Sequence, residues 1–354
     1  MPTPLDVHFM DSPLPVITKI INLTLSTDYF ADEWKCAIVN PLLKKPGLDL
    51  ILKNYRPVSN LQYVSKLTEK AVYDQVHRHM ETNNIYPLLQ SAYRKQHSTE
   101  TVLLKVMNDI LLKMNSQHVT LLVMLDLSAA FDTANHKIVL ERLQHDIGIS
   151  GVPLQWFKSY LSNRSQRVTV QGTLSRLFDL DCGVPQGSCL GPLLYVIYAS
   201  KLFNIIERHL PDAHCYADDS QLYLSFRPAD GLSSQIDAIH AVESCIEDIR
   251  HWMVSDRLLL NDEKTEFLLI GTRQQLIKVG FLPLRVGSID LEPVNCVRNL
   301  GVWFDSMLSM ETHINIVCSS GFYFLHNFRR IRKYLSQDCL VTHPSVCQKS
   351  AGLL

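Results

Sequence analysis

No stretch of the chain reaches the roughly 18 uncharged apolar residues that a membrane-spanning helix needs. The longest candidate, residues 189–200, stops at Lys201. The first residues, Met-Pro-Thr-Pro-Leu-Asp, carry no basic-then-apolar leader. Both absences speak against membrane insertion and secretion, and point to a soluble protein in the nucleus or cytoplasm. Internal repeats and low-complexity linkers are missing as well. None of the nine cysteines (36, 182, 189, 215, 245, 296, 318, 339, 347) forms a Cys-x-x-Cys pair. Cys339, His343 and Cys347 have ligand chemistry, but their spacing fits no standard zinc finger. Reduced thiols suit an intracellular compartment, where the Asn-x-Ser/Thr matches at Asn22 and Asn163 have no consequence. Nor is there an excess of positive charge: 34 Lys and Arg stand against 35 Asp and Glu, a net charge of −1. A nucleic-acid partner, which usually calls for a basic domain, would have to be held by local patches.

What is present is apolar material. Of 354 residues, 46% are hydrophobic, 19% charged and 8% aromatic. That supports a sizeable core in roughly two or three units and excludes a disordered or collagen-like chain. Ser98 and Thr99 can cap a helix in which Val102, Leu103, Val106, Met107, Ile110, Leu111 and Met114 recur at helical spacing. A second helix starts near Ser233 and Ser234, with Ile236, Ile239, Val242, Ile246, Ile249 and Trp252 on one face. A third spans residues 322–335 through Leu325, Phe328, Ile331 and Leu335, with that face turned inward. Residues 119–127 read as a buried strand ending in an aspartate. Residues 215–226 read as a hairpin with Asp218 and Asp219 at its turn and Leu222, Leu224 and Phe226 on one face. Strands and helices without a steady βαβ rhythm predict an α+β fold. Residues 339–354 lose all helical periodicity and read as an irregular tail.

Asp126, Asp218 and Asp219 form the chemical signal. Carboxylates at the ends of buried strands are held rigidly yet open to solvent, which suits hard divalent cations. Brought together, they repel unless a metal neutralises them. Two Mg2+ ions roughly 3.5–4 Å apart are the usual device for in-line phosphoryl transfer. Between the two strands lies Gly183-Val-Pro-Gln-Gly-Ser188. Its glycines and proline punctuate a loop whose backbone can approach a ligand closely, and Gln186 offers a donor and an acceptor to a base or sugar edge.

The order of these motifs resembles the reverse transcriptases of LINE-type, non-LTR retrotransposons. The resemblance covers about residues 15–338 and rests on seven motifs in sequence. They are Asn54-Tyr-Arg-Pro-Val-Ser-Asn60, Gln90-Ser-Ala-Tyr-Arg-Lys-Gln-His-Ser-Thr-Glu100, Leu125-Asp-Leu-Ser-Ala-Ala-Phe-Asp132, Gly183-Val-Pro-Gln-Gly-Ser188, Tyr216-Ala-Asp-Asp219, Leu260-Asn-Asp-Glu-Lys-Thr-Glu266 and Asn299-Leu-Gly-Val302. The resemblance implies a right-hand polymerase fold: fingers over residues 1–118, a palm with an antiparallel sheet over 119–305, the start of a thumb over 306–338, then the tail. It implies an RNA-directed DNA polymerase, a nucleotidyltransferase that takes an RNA template, a DNA primer, deoxynucleoside triphosphates and two Mg2+ ions, with Mn2+ as a substitute.

The implied roles follow residue by residue. Asp126, Asp218 and Asp219 fall on the family's metal-binding catalytic carboxylates, and Lys264 on the lysine near the leaving pyrophosphate. Arg56 falls on a fingers arginine for the triphosphate, with Lys44, Lys45 and Lys53 all open as its partner. Gln186 and Gly187 join the substrate side, and residues 299–302 fall on the primer grip. Phe131 stands five residues after Asp126, where RNA-directed RNA polymerases carry an aspartate for the ribose; an aromatic wall there excludes a 2′-hydroxyl. Apart from the resemblance, the near-zero net charge makes the helix bearing Arg329, Arg330, Arg332 and Lys333 one candidate for the local basic patch that grips duplex phosphates. Ala92 and Gln96 stand where the family usually has glycine, and Tyr195 is followed by Val-Ile-Tyr rather than the usual Ile-Asn-Asp. The missing endonuclease and short thumb point to a truncated element copy. The alternative is therefore a catalytically inactive nucleic-acid-binding remnant.

Overall fold

The computed structural model describes residues 13–334 apart from Pro46, residues 127–132, residues 210–211 and Leu259. Phe131, the Asp126 and Lys333 side chains, and everything from Leu335 on, including Cys339, His343 and Cys347, lie outside the described residues.

In chain order the larger elements begin with helix α1 (Leu14–Ser26), strands β1 (Cys36–Leu43) and β2 (Tyr55–Asn60), helices α2 (Tyr63–Thr82) and α3 (Thr99–Asn115), and strand β3 (Val119–Asp126). Then come α4 (His136–His145), α5 (Gly151–Leu161), β4 (Arg164–Val170), β5 (Thr173–Leu174), β6 (Phe178–Leu180), α6 (Gly191–Tyr198) and α7 (Ser200–His209). The remainder is β7 (Asp212–Tyr216), β8 (Asp219–Phe226), α8 (Leu232–Ser255), β9 (Glu266–Ile270), β10 (Leu284–Val286), β11 (Ile289–Leu291), β12 (Cys296–Asn299), β13 (Val302–Asp305) and α9 (Glu311–Ile331). No described helix is long and apolar enough to cross a membrane.

The chain forms two compact units that interleave in sequence. The first takes the residues up to 93, with 127–204 and 250–260. Its sheet has the order β2-β1-β4-β5, with β6 also on β4; β1 runs antiparallel to β2 and parallel to β4. The core beside it is aromatic. Trp156 and Tyr160, one turn apart on α5, stack at 5.5 Å, and Phe30 meets both edge-on. Buried aromatics of this size each contribute about 2–3 kcal/mol from area alone.

The second unit takes residues 94–126, 205–249 and those from 261 on. It is built on an antiparallel sheet of order β7-β8-β3-β9. Residues 119–123 of β3 are wholly buried because both faces of this central strand are covered. On one face Leu122, Tyr223 and Leu268 pack with Val102, Val106 and Ile110 of α3 and with Val297 and Phe304 of β12 and β13. On the other, Val119 and Phe226 pack with Ala238 of α8.

The expected helix at Ser98 is present. The Ser98 Oγ accepts from the Thr101 backbone N–H, and Thr101 Oγ1 accepts in return from the Ser98 N–H, a reciprocal cap. The second expected helix is α8, with Ile239, Val242, Ile246 and Ile249 buried, although Ile236 is exposed. The third differs. The helix begins at Glu311, a full 11 residues before the expected Phe322. Its expected inward face is not buried as a whole: Leu325 is 53% and Ile331 45% exposed, Phe328 is half-buried, and His313 is the buried residue described on the helix. None of the seven described cysteines is in a disulfide.

Candidate active site

The ladder of the second unit sets the geometry. Pairing of β3 with β8 ends with Asp126 directly opposite Asp219. On the other side of β3 the last pair with β9 is Met124 with Glu266. Two residues further along the same register comes Lys264, on the short turn Asp262–Lys264 that leads into β9. One end of the sheet therefore gathers Asp126 of β3, Asp219 of β8 and Lys264 of the turn that leads into β9, with Asp218 on the adjoining turn.

That turn is tighter than expected. Tyr216 pairs with Asp219, so the two turn residues are Ala217 and Asp218, and Asp219 is already in strand β8. The Ala217 φ is +57°, left-handed, and a positive angle at the first central position alone is the mark of a type II′ hairpin. An alanine held there costs about 1 kcal/mol, the kind of local strain that gathers at working sites. Asp218 is half-buried, while Asp219 and Lys264 are exposed. Among the described residues no group of three His, Cys, Asp or Glu side chains is arranged to hold a metal, and the Asp126 side chain falls outside that set.

The first unit positions the loop of residues 183–188. Its start is pinned twice: the Gly183 N–H donates to the Ala134 carbonyl at 2.8 Å, and its own carbonyl accepts from His136 Nε2 at 2.8 Å. Burial lowers the His136 pKa. In the middle, the Gln186 carbonyl accepts from the Ser59 N–H at 2.7 Å, which lays the loop on strand β2. A Cβ at Gly187, where φ is +127°, would sit 2.4 Å from the Ser59 carbonyl oxygen, so only glycine permits this approach. Arg56 is three residues away on the same strand, exposed and paired with Leu42 of β1. A cavity of about 200 Å3 beside the loop is lined by Pro57, Ser59, Cys182 and Gln186 among others. Of the three lysines left open as partners of Arg56, Lys44 donates its ammonium to the Lys53 carbonyl at 2.7 Å.

Glu69 is the residue that sequence reasoning missed. It is fully buried on α2 and accepts from Ser188 Oγ and the Cys189 N–H, each at 2.7 Å, and from Ser65 Oγ at 3.2 Å. The Ser188 Oγ in turn lies 2.9 Å from the buried Tyr160 hydroxyl and accepts from the Leu190 and Gly191 N–H groups. The loop's exit and the first amides of α6 are thus fastened to a buried carboxylate. The signal was weak, because the buried stripe of α2 (Ser65, Thr68, Glu69, Val72, Val76, Met80) is half polar.

Arg329, Arg330 and Arg332 are exposed at the end of α9 and just beyond it. Gln96, standing where a glycine was expected, takes φ +63°, a glycine-like conformation.

Residues 43–304 match the family model for reverse transcriptase (RNA-dependent DNA polymerase). Among curated relatives, the probable RNA-directed DNA polymerase from transposon X-element of Drosophila melanogaster is 26% identical over 310 residues, 84% of this chain and 32% of that protein. The RNA-directed DNA polymerase from mobile element jockey of the same species is 25% identical over 317 residues, 86% and 32% of the two chains. The probable enzyme from transposon BS, also of Drosophila melanogaster, is 28% identical over 311 residues, 84% and 32%. The chain spans about a third of the length of these relatives. Among solved structures, apo telomerase from Candida tropicalis truncated from its C-terminal domain aligns with a TM-score of 0.52 at 13% identity, over 78% of this chain and 55% of that one. A further apo telomerase structure from that organism gives 0.51 at 10% identity, over 84% and 52%. At such identity the likeness is one of fold, the right-hand polymerase fold.

Proposed function

The chain is a LINE-type member of the reverse transcriptase (RNA-dependent DNA polymerase) family, and from that premise we propose that it is an RNA-directed DNA polymerase. It joins deoxynucleoside triphosphates to the 3′-hydroxyl of a DNA primer on an RNA template, inside the cell. The observation that carries this reading is the register of the sheet: Asp126 opposite Asp219, with Asp218 on the adjoining turn. Aspartates that the backbone register brings to one sheet end offer hard oxygen donors that would repel one another without a cation, so these residue types fit Mg2+ or Mn2+. Asp126, Asp218 and Asp219 would hold two such ions, which when bound activate the hydroxyl and neutralise the charge of the leaving pyrophosphate.

The chain's own groups then have distinct tasks. Lys264 holds positive charge, and a proton, at the oxygen of the departing pyrophosphate. The Arg56 guanidinium pairs with triphosphate oxygens in a planar, bidentate way. Gln186 and the bare backbone at Gly187 bind a base or sugar edge. Phe131 excludes the 2′-hydroxyl and selects deoxynucleotides. Arg329, Arg330, Arg332 and Lys333 bind duplex phosphates. In this assignment residues 1–118 are fingers, 119–305 palm and 306–338 the start of a thumb. Catalysis is mostly positioning and electrostatic stabilisation.

Primer extension on an RNA template with Mg2+ tests the proposal. Asp218→Asn should leave the melting temperature unchanged and lower extension about a thousandfold, the effect of several kcal/mol of lost transition-state stabilisation. Undiminished extension by that variant would overturn the metal-ligand assignment. An unmodified chain that binds template–primer but extends nothing would establish the inactive-remnant reading instead.

A further inference from the structure

Two fully buried amides meet in the second unit. Asn299 Nδ2 donates to Gln221 Oε1 at 2.9 Å. Gln221 lies on β8 two residues after Asp219, in register between His214 of β7 and Met124 of β3. Asn299 is the last residue of β12, paired with Val302 across a two-residue turn. That turn, Leu300 and Gly301, has φ of +44° and +95°, positive at both positions as in a type I′ hairpin. The single side-chain bond thus runs from the strand that carries the aspartate turn to the base of a second, separate turn.

The surroundings make the pair costly. Leu122, Tyr223, Leu268, Val297 and Phe304 form an apolar cluster on this face. Within it, Gln221 Nε2 and Asn299 Oδ1 are buried and have no hydrogen-bond partner among the described residues. Two apolar side chains of the same shape would pack there without leaving donors and acceptors unmet. What they would not supply is direction: a hydrogen bond fixes one register, and an apolar contact tolerates several. The backbone bonds that flank the β12–β13 hairpin, Val294 N–H to Phe267 carbonyl and Gly271 N–H to Ser306 carbonyl, lead to β9 and its exit rather than to β8.

We propose that the Gln221–Asn299 pair is a positioning device that fixes the turn at residues 300–301 relative to the carboxylates at Asp218 and Asp219. The proposal rests on the polymerase reading, in which the 299–302 segment bears on the primer end. The hydroxyl must lie within about 3–3.5 Å of the phosphorus, and a misplacement near 1 Å costs on the order of a hundredfold in rate. Both side chains are fully buried, so they act through the two turns they join.

The test compares Gln221→Met, Asn299→Leu and the double variant, all near-isosteric, with the unmodified chain. Melting temperature is measured first; the double variant should melt no lower than the parent, since it removes unmet polar groups. Hydrogen exchange should then be faster by about tenfold at residues 299–303, with the rest of the sheet unchanged. Single-turnover extension at saturating nucleotide should fall by about 10- to 100-fold, while the nucleotide KM changes less than about twofold. Single and double variants should fall to the same level, because either change removes the same bond. Unchanged exchange in the double variant would overturn the lock. Faster exchange with undiminished extension would overturn its role in the reaction. If the unmodified chain extends no primer and exchange still responds, the polymerase reading fails and the coupling of the two turns stands.

Discussion

A glutamate with no sequence signature holds the loop that the motif order marks as substrate-binding. Glu69 receives a hydroxyl and a backbone N–H at 2.7 Å from residues about 120 positions later. Truncating it to alanine leaves the Cys189 amide without its acceptor and the Ser188 hydroxyl with only the Tyr160 oxygen, 2.9 Å away, to turn to. An unmet donor costs about 1–3 kcal/mol, so Glu69→Ala should destabilise the chain by roughly that amount. A lower urea midpoint with an unchanged slope would confirm it; a loss under about 0.5 kcal/mol would show that the loop is held by Ser59 and His136 alone. The same local logic governs Gly187, where the Ser59 carbonyl occupies the space of a side chain.

Helix α9 shows what periodicity can and cannot say. Leu325, Phe328 and Ile331 recur at helical spacing, and the helix forms, but Phe322, Tyr323, Leu325 and Ile331 are exposed. Periodicity fixes which residues share a face, whereas burial depends on what lies opposite. The basic end of α9 carries the binding prediction. Neutralising phosphates releases counterions, which gives a log–log salt slope of about −0.7 to −0.9 per contact. Replacing Arg329, Arg330 and Arg332 with Gln should weaken template–primer binding about equally for all sequences and flatten that slope by roughly two units. A slope that stays the same, measured by fluorescence anisotropy across salt, would remove this helix from the interface.

Over the whole molecule, 34 basic and 35 acidic residues nearly cancel at pH 7, and particular buried groups add a pH dependence of their own below it. His214, on β7 next to Cys215, is 6% exposed, and burial, aided by Lys105, pushes its pKa down to about 4. In the unfolded chain it titrates near 6.5. Between those values the unfolded state binds a proton that the folded state does not, so stability falls as pH drops through that window. At pH 5 this one group should cost about 2 kcal/mol relative to pH 7. His136 is shifted the same way by burial and adds to the trend. Melting followed from pH 7 to pH 4.5 should show the decline, and His214→Gln should flatten it. A decline of the same steepness in that variant would place the acid sensitivity elsewhere.

Sequence alone was enough for the features that short segments decide. The β3 strand, the Ser98 cap, the aspartate hairpin and the order of seven motifs follow from hydrophobic period, turn chemistry and spacing, each set within about a dozen residues. Those motifs already named the family and most candidate residues. The tertiary structure decided which strands pair and in which register, and so that Asp126 faces Asp219 while Lys264 comes to the same sheet end. It also decided the polar burials: Glu69 with Ser188 across 119 residues and Gln221 with Asn299 across 78. No local pattern announces such pairs, because a buried polar group is tolerated only by a partner that the fold brings from far along the chain.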